Sequence, residues 1–112
     1  MKKKLFQNYN FDFNKNEKKL ITTFCKQALK QMEGNDQYFG EVKAFSSVLE
    51  KINSNEETVK LTKDEKTRLS FQLKQNIDSI SKQMKNSFFI KKWLMKSLFN
   101  QYTSLYNQHF KG

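Results

Sequence analysis

Lys85, Phe89, Lys92, Trp93, Lys96 and Asn100 follow one another at steps of three or four residues, apart from the adjacent Lys92 and Trp93, the spacing that brings side chains onto one strip of a helix. Ammonium groups interleaved with rings suit one kind of chemistry. Lysine holds a phosphate or carboxylate as a point charge, while Phe89 and Trp93 stack on a base or wedge into a partner. The surrounding residues 79–112 carry Lys82, Lys85, Lys91, Lys92, Lys96 and Lys111 and no carboxylate at all. A plainer reading of the same strip makes this helix central, with Trp93 and Phe89 filling the core and the lysines snorkelling outward. A second basic row, Lys15, Lys19, Lys26 and Lys30, lies on the helix face opposite Ile21 and Phe24. It reads either as an ordinary solvated face or, with Lys2, Lys3 and Lys4, as an extension of an anion-seeking surface.

The charge is unevenly spread. Net charge is +10, divided as +6 over residues 1–30, −2 over 31–78 and +6 over 79–112. Arg68 is the only arginine among 21 basic residues, so the planar fork used to read guanine edges is almost absent and backbone contact is the expected mode on nucleic acid. Catalytic chemistry finds no support. Cys25 is the single cysteine and His109 the single histidine, Glu17 and Glu65 are explained by helix capping, and three glycines leave no phosphate-cradling loop. The expectation is a non-enzymatic protein with no cofactor and no metal site. His109 suits the negative end of a helix dipole, and Cys25 falls on an apolar helix face as a small buried hydrophobe.

These side chains need elements to hold them. With 112 residues one domain is expected, and although only 37% of residues are hydrophobic, eleven Phe, four Tyr and one Trp give enough apolar area to argue against disorder. Residues 1–12 read as a basic and aromatic N-terminal arm. Asn14 and Glu17 form a capping box that starts a first helix over 14–33, with Ile21, Phe24, Cys25, Ala28 and Met32 as its stripe and Gly34 as a left-handed stop. A second helix over 36–53 carries Tyr38, Val42, Phe45, Leu49 and Ile52. The connector 56–61 ends in Val59 and Leu61, suited to lie extended beside Phe11 and Phe13. Thr62 and Glu65 form another capping box before a third helix over 63–84, with Leu69, Leu73, Ile77, Ile80 and Met84 on one face. A fourth helix over 87–109 carries Leu94, Met95, Leu98, Tyr102, Leu105 and Tyr106. Residues 13–32 also align with 61–80 at an offset of 48, either a repeat or two similarly capped helices in a lysine-rich chain.

The expected fold is all-α: a four-helix antiparallel bundle of two helical hairpins with a short extended N-terminal arm. The alternative is three helices, the last one long, because no Gly or Pro interrupts residues 63–110. That form would require a dimer; the bundle is expected as a monomer or homodimer.

The functional expectation is a small basic protein that docks on nucleic acid or a nucleoprotein complex through lysines and aromatics. An accessory or inhibitor of a phage or mobile element is one such role, in keeping with the AT-rich bias of the composition. The alternative is an immunity-type or scaffolding helical bundle that binds a protein or the anionic cytoplasmic membrane surface, since in general character the chain resembles bacteriocin immunity proteins. Leu5 onward reads LFQNYNFDF, too polar for a signal peptide, and no 18-residue apolar run exists. A cytoplasmic location is expected, in line with the lone cysteine.

Overall fold

The computed structural model describes residues 9–86 and 89–111, with only the backbone of Phe89 and Ile90. The described chain is all-α apart from a small ribbon: β1 (Tyr9–Phe11), α1 (Lys15–Met32), α2 (Phe39–Asn53), β2 (Val59–Leu61), α3 (Lys63–Lys85) and α4 (Phe89–Leu105). A 3₁₀ turn, Asp36–Tyr38, precedes α2, and a π-helical turn, Tyr106–Phe110, follows α4. Two compact units emerge, residues 1–68 and residues 69–112, with the division inside α3.

The first unit is built around the ribbon and α1 against α2. β1 and β2 are antiparallel with Tyr9 opposite Leu61, Asn10 opposite Lys60 and Phe11 opposite Val59. Tyr9–Phe11 thus lie beside the connector, and Phe11, Phe13, Val59 and Leu61 are all buried; the rest of the expected arm, residues 1–8 with Lys2, Lys3 and Lys4, lies outside the described residues. The rings of Phe11 and Phe13 stack with centroids 5.1 Å apart. Phe11 faces Val59, its counterpart at the 48-residue offset.

Both capping boxes form, Asn14 three residues after Phe11 and Thr62 three residues after Val59. Asn14 Oδ1 accepts from the Glu17 amide at 2.8 Å and Glu17 Oε1 accepts from the Asn14 amide at 2.9 Å. Thr62 Oγ1 accepts from the Glu65 amide at 3.1 Å and Glu65 Oε1 accepts from the Thr62 amide at 2.9 Å. Each box satisfies two of the amides that a helix start leaves open. Gly34, at φ 81°, turns the chain after α1, and Asn35 caps the 3₁₀ turn through the Gln37 amide at 3.0 Å.

α1 buries Ile21, Phe24, Cys25 and Met32, and Phe24 meets Phe45 of α2 edge to face with centroids 6.4 Å apart. The buried face of α2 is Ala44, Phe45, Val48 and Ile52, rotated from the expected stripe: Tyr38, Val42 and Leu49 are only half-buried. Ala44 and Val48 join Phe45 and Ile52 on the buried face. Gly40 leaves room for Arg68, whose guanidinium lies 2.9 Å from where a Cβ would stand. From there Arg68 reaches Glu41 at 2.7 Å and Asp64 at 3.1 Å.

Within residues 69–112, Leu69, Leu73, Ile77 and Ile80 of α3 are buried, with Met84 half-buried. α3 stops at Lys85, and the Asn86 amide donates to the Gln83 carbonyl at 3.2 Å as the chain turns. The long continuous helix therefore does not form. The expected stripe of the fourth helix is corrected. Tyr102 and Leu105 are buried, with 4% and 1% of their surface exposed, whereas Leu94 and Leu98 stand 56% and 43% exposed.

Candidate binding surface

The first ten described side chains of α4, residues 91–100, include none that is buried. At 100° per residue Trp93 lies about 180° from Tyr102, so the indole points away from the buried side of its own helix. It is 73% exposed. This sets aside the reading in which the indole fills a core. Phe89, its expected neighbour on the strip, has a side chain outside the described residues.

Lys92, Lys96 and Asn100 are exposed on the same strip, and Lys91 is exposed about 160° round the helix from Trp93. Among the described residues the ion pairs are Lys51 with Glu65, Arg68 with Glu41 and Asp64, and Lys74 with Asp78, so none of these three lysines is neutralised. Lys85 is exposed but closes α3, so the helical phase that set it on the Trp93 strip does not carry across the turn at Asn86. That placement is corrected. Leu94 and Leu98 belong to the surface instead, on the arc between Trp93 and Lys91 by helical spacing, and sequence reasoning had put both in the core. Leu94 shares its face with Leu105, about 20° away, yet only Leu105 is covered.

Lys15, Lys19, Lys26 and Lys30 are exposed on α1 and unpaired among the described residues. They border two hollows along the seam between α1 and α2. One, of about 540 Å³, is lined by Lys15, Lys18, Lys19 and Thr22 on α1 with Asn53 and Glu56 opposite. The other, of about 330 Å³, is lined by Lys26, Leu29 and Lys30 with Val42 and Ser46 opposite.

The chemically perturbed groups lie elsewhere and have structural work. Cys25 is fully buried, and burial pushes its thiol up to about 12, which leaves no thiolate at neutral pH. Glu65 is buried too. Burial alone raises its carboxyl, but hydrogen bonds from Lys51 at 2.7 Å, from the Ser47 hydroxyl and from the Thr62 amide outweigh this and hold it below the usual carboxylate range. Among the described residues no group of three or more His, Cys, Asp or Glu is arranged to hold a metal ion, and no helix is long and apolar enough to cross a membrane.

Comparison with protein-family models, with curated proteins and with solved structures finds no match. Any functional reading therefore rests on the geometry of this chain alone.

Proposed function

We propose that this is a non-enzymatic cytoplasmic binding protein that docks on nucleic acid or a nucleoprotein complex through α4, with Lys92 and Lys96 against phosphates and Trp93 stacked on a base. The observation that carries the reading is an indole 73% exposed between two exposed lysines, in a segment that holds no carboxylate. An exposed Trp with uncompensated lysines pairs a sequence-tolerant stacking platform with an electrostatic guide. The nearly complete use of lysine supports backbone contact over base reading. An accessory or inhibitor of a phage or mobile element fits such a mode of action.

A second reading has its own support. Leu94 and Leu98, with Trp93, give α4 three exposed large apolar side chains, which an anionic membrane surface accepts and a phosphate backbone does not use.

Titration of RNA, DNA and anionic vesicles at two salt concentrations separates the two. Binding to nucleic acid that falls with salt, by roughly 0.9 log units of slope per phosphate neutralised, and that is lost in Lys92→Glu with Lys96→Glu while the helical signal persists, supports the first. Binding to vesicles alone, abolished by Leu94→Gln with Leu98→Gln, replaces it with the second. Failure to bind any polyanion refutes both and leaves a dedicated protein partner, as in the immunity-type alternative.

A further inference from the structure

The geometry points to a second contact site on this protein: the groove along the α1–α2 seam receives the sugar-phosphate backbone of a single-stranded nucleic acid. The inference rests on the nucleic-acid reading above and adds a site in the unit formed by residues 1–68.

At 100° per residue the α1 side chains that line the two hollows fall on one flank of that helix. On α2, Val42, Ser46 and Asn53 likewise fall on a single row. The two hollows therefore lie in line along the seam and together make up the proposed groove. From Lys15 to Lys30 it runs about 22 Å, at 1.5 Å per residue. Its α1 wall presents Lys15, Lys19, Lys26 and Lys30, all exposed and none ion-paired among the described residues. Its α2 wall is neutral.

This distribution of charge selects the occupant. One line of cations facing a neutral wall matches one line of phosphates, whereas a duplex presents two. A flat bilayer does not enter a recess between helices. An acidic peptide would be better served by the bidentate fork of arginine, and the groove has none. Carboxylates share the lining, Glu33 with Lys26 and Lys30 in one hollow and Glu56 and Glu57 with Lys15, Lys18 and Lys19 in the other, and the lysines outnumber them five to three. No aromatic side chain lines either hollow, so the contact is to backbone and indifferent to base sequence.

The test is fluorescence anisotropy of a labelled oligouridylate of about 15 nucleotides between about 50 and 200 mM salt. Lys19→Glu with Lys26→Glu is expected to weaken binding at least about tenfold at the lower salt and to reduce the salt slope by about two. Lys19→Ala with Lys26→Ala gives a smaller loss of the same kind. Lys60→Glu with Lys63→Glu makes the same change in net charge at exposed positions outside both hollows and is expected to lose less than about threefold. Far-ultraviolet circular dichroism verifies that each variant is folded. A groove pair that behaves like the charge control overturns the inference. So does a duplex, or a polyglutamate chain, that binds as tightly with the same dependence on Lys19 and Lys26. Loss of binding in Lys92→Glu with Lys96→Glu but not in the groove pair overturns the groove alone; the reverse pattern keeps the groove and overturns the α4 site.

Discussion

Replacing Glu65 with alanine tests how much of the first unit hangs on one buried carboxylate. The substitution removes the capping acceptor of the Thr62 amide, the partner of the Lys51 ammonium at 2.7 Å and the acceptor of the Ser47 hydroxyl. Loss of the cap costs about 1 kcal/mol. The Lys51 side chain is 34% exposed, so water takes back part of its loss and about 1 kcal/mol remains. The half-buried Ser47 hydroxyl adds up to about 1 kcal/mol. The sum, about 2–3 kcal/mol, is a large part of the 5–15 kcal/mol typical of a domain. In urea, with a slope near 1–2 kcal/mol/M, the midpoint should fall by about 2 M at neutral pH. Glu17→Ala serves as the internal comparison because it removes the equivalent box at the partly exposed start of α1, and it should cost about 1 kcal/mol. The pH dependence follows in sign. The folded Glu65 carboxyl titrates below its ordinary 4.5, so the unfolded chain binds more protons there and this stabilisation is complete above that value. It is lost as pH falls through the lower folded value, and Glu65→Gln should remove this segment of the pH profile. Urea unfolding followed at 222 nm from neutral to acid pH measures each quantity. If Glu65→Ala costs no more than Glu17→Ala, the account of a buried hub is wrong.

Three other outcomes follow. Trp93→Ala should change stability by less than about 0.5 kcal/mol, whereas Phe45→Ala, at a site with no exposed surface, should cost about 3–5 kcal/mol; chemical denaturation compares them. The fluorescence of native Trp93, 73% exposed, should peak at a wavelength typical of indole in water and be quenched freely by acrylamide. Cys25 should stay silent to an aromatic disulfide reagent at neutral pH and react on the time course of unfolding, because burial holds its thiol near 12.

Local chemistry explains what was legible in the sequence. The two capping boxes and the glycine stop after α1 depend on residues within a turn of one another, so Asn14, Glu17, Thr62, Glu65 and Gly34 could be read directly. The alternation of Phe11, Phe13, Val59 and Leu61 likewise suggested two extended pieces side by side, though not their antiparallel register. Matters that depend on a neighbour were not readable. Leu94 and Leu98 sit at proper helical spacing for a core, but burial also needs something to cover them, and a stripe does not supply it. The burial of Ala44 and Val48 in place of Val42 and Leu49 depends on which neighbours cover α2. The Glu65 hub draws on Ser47 and Lys51, 18 and 14 residues away, which no capping signature includes. Of the Trp93 strip, the exposed positions Lys92, Lys96 and Asn100 were visible, while Lys85 was lost to the turn after α3.

The placement of Arg68 has a consequence for how this protein could be controlled. The lone guanidinium is tied to Glu41 and Asp64, so the cations of α4 and of the α1 groove are all primary amines. Acylation of an amine removes its charge and leaves a guanidinium untouched. A single acetyl-transferring reagent can therefore erase these outward cations without unfastening the arginine that braces the start of α2; Lys51, the amine held by Glu65, is the exception among the described residues, since its acylation would also loosen the scaffold.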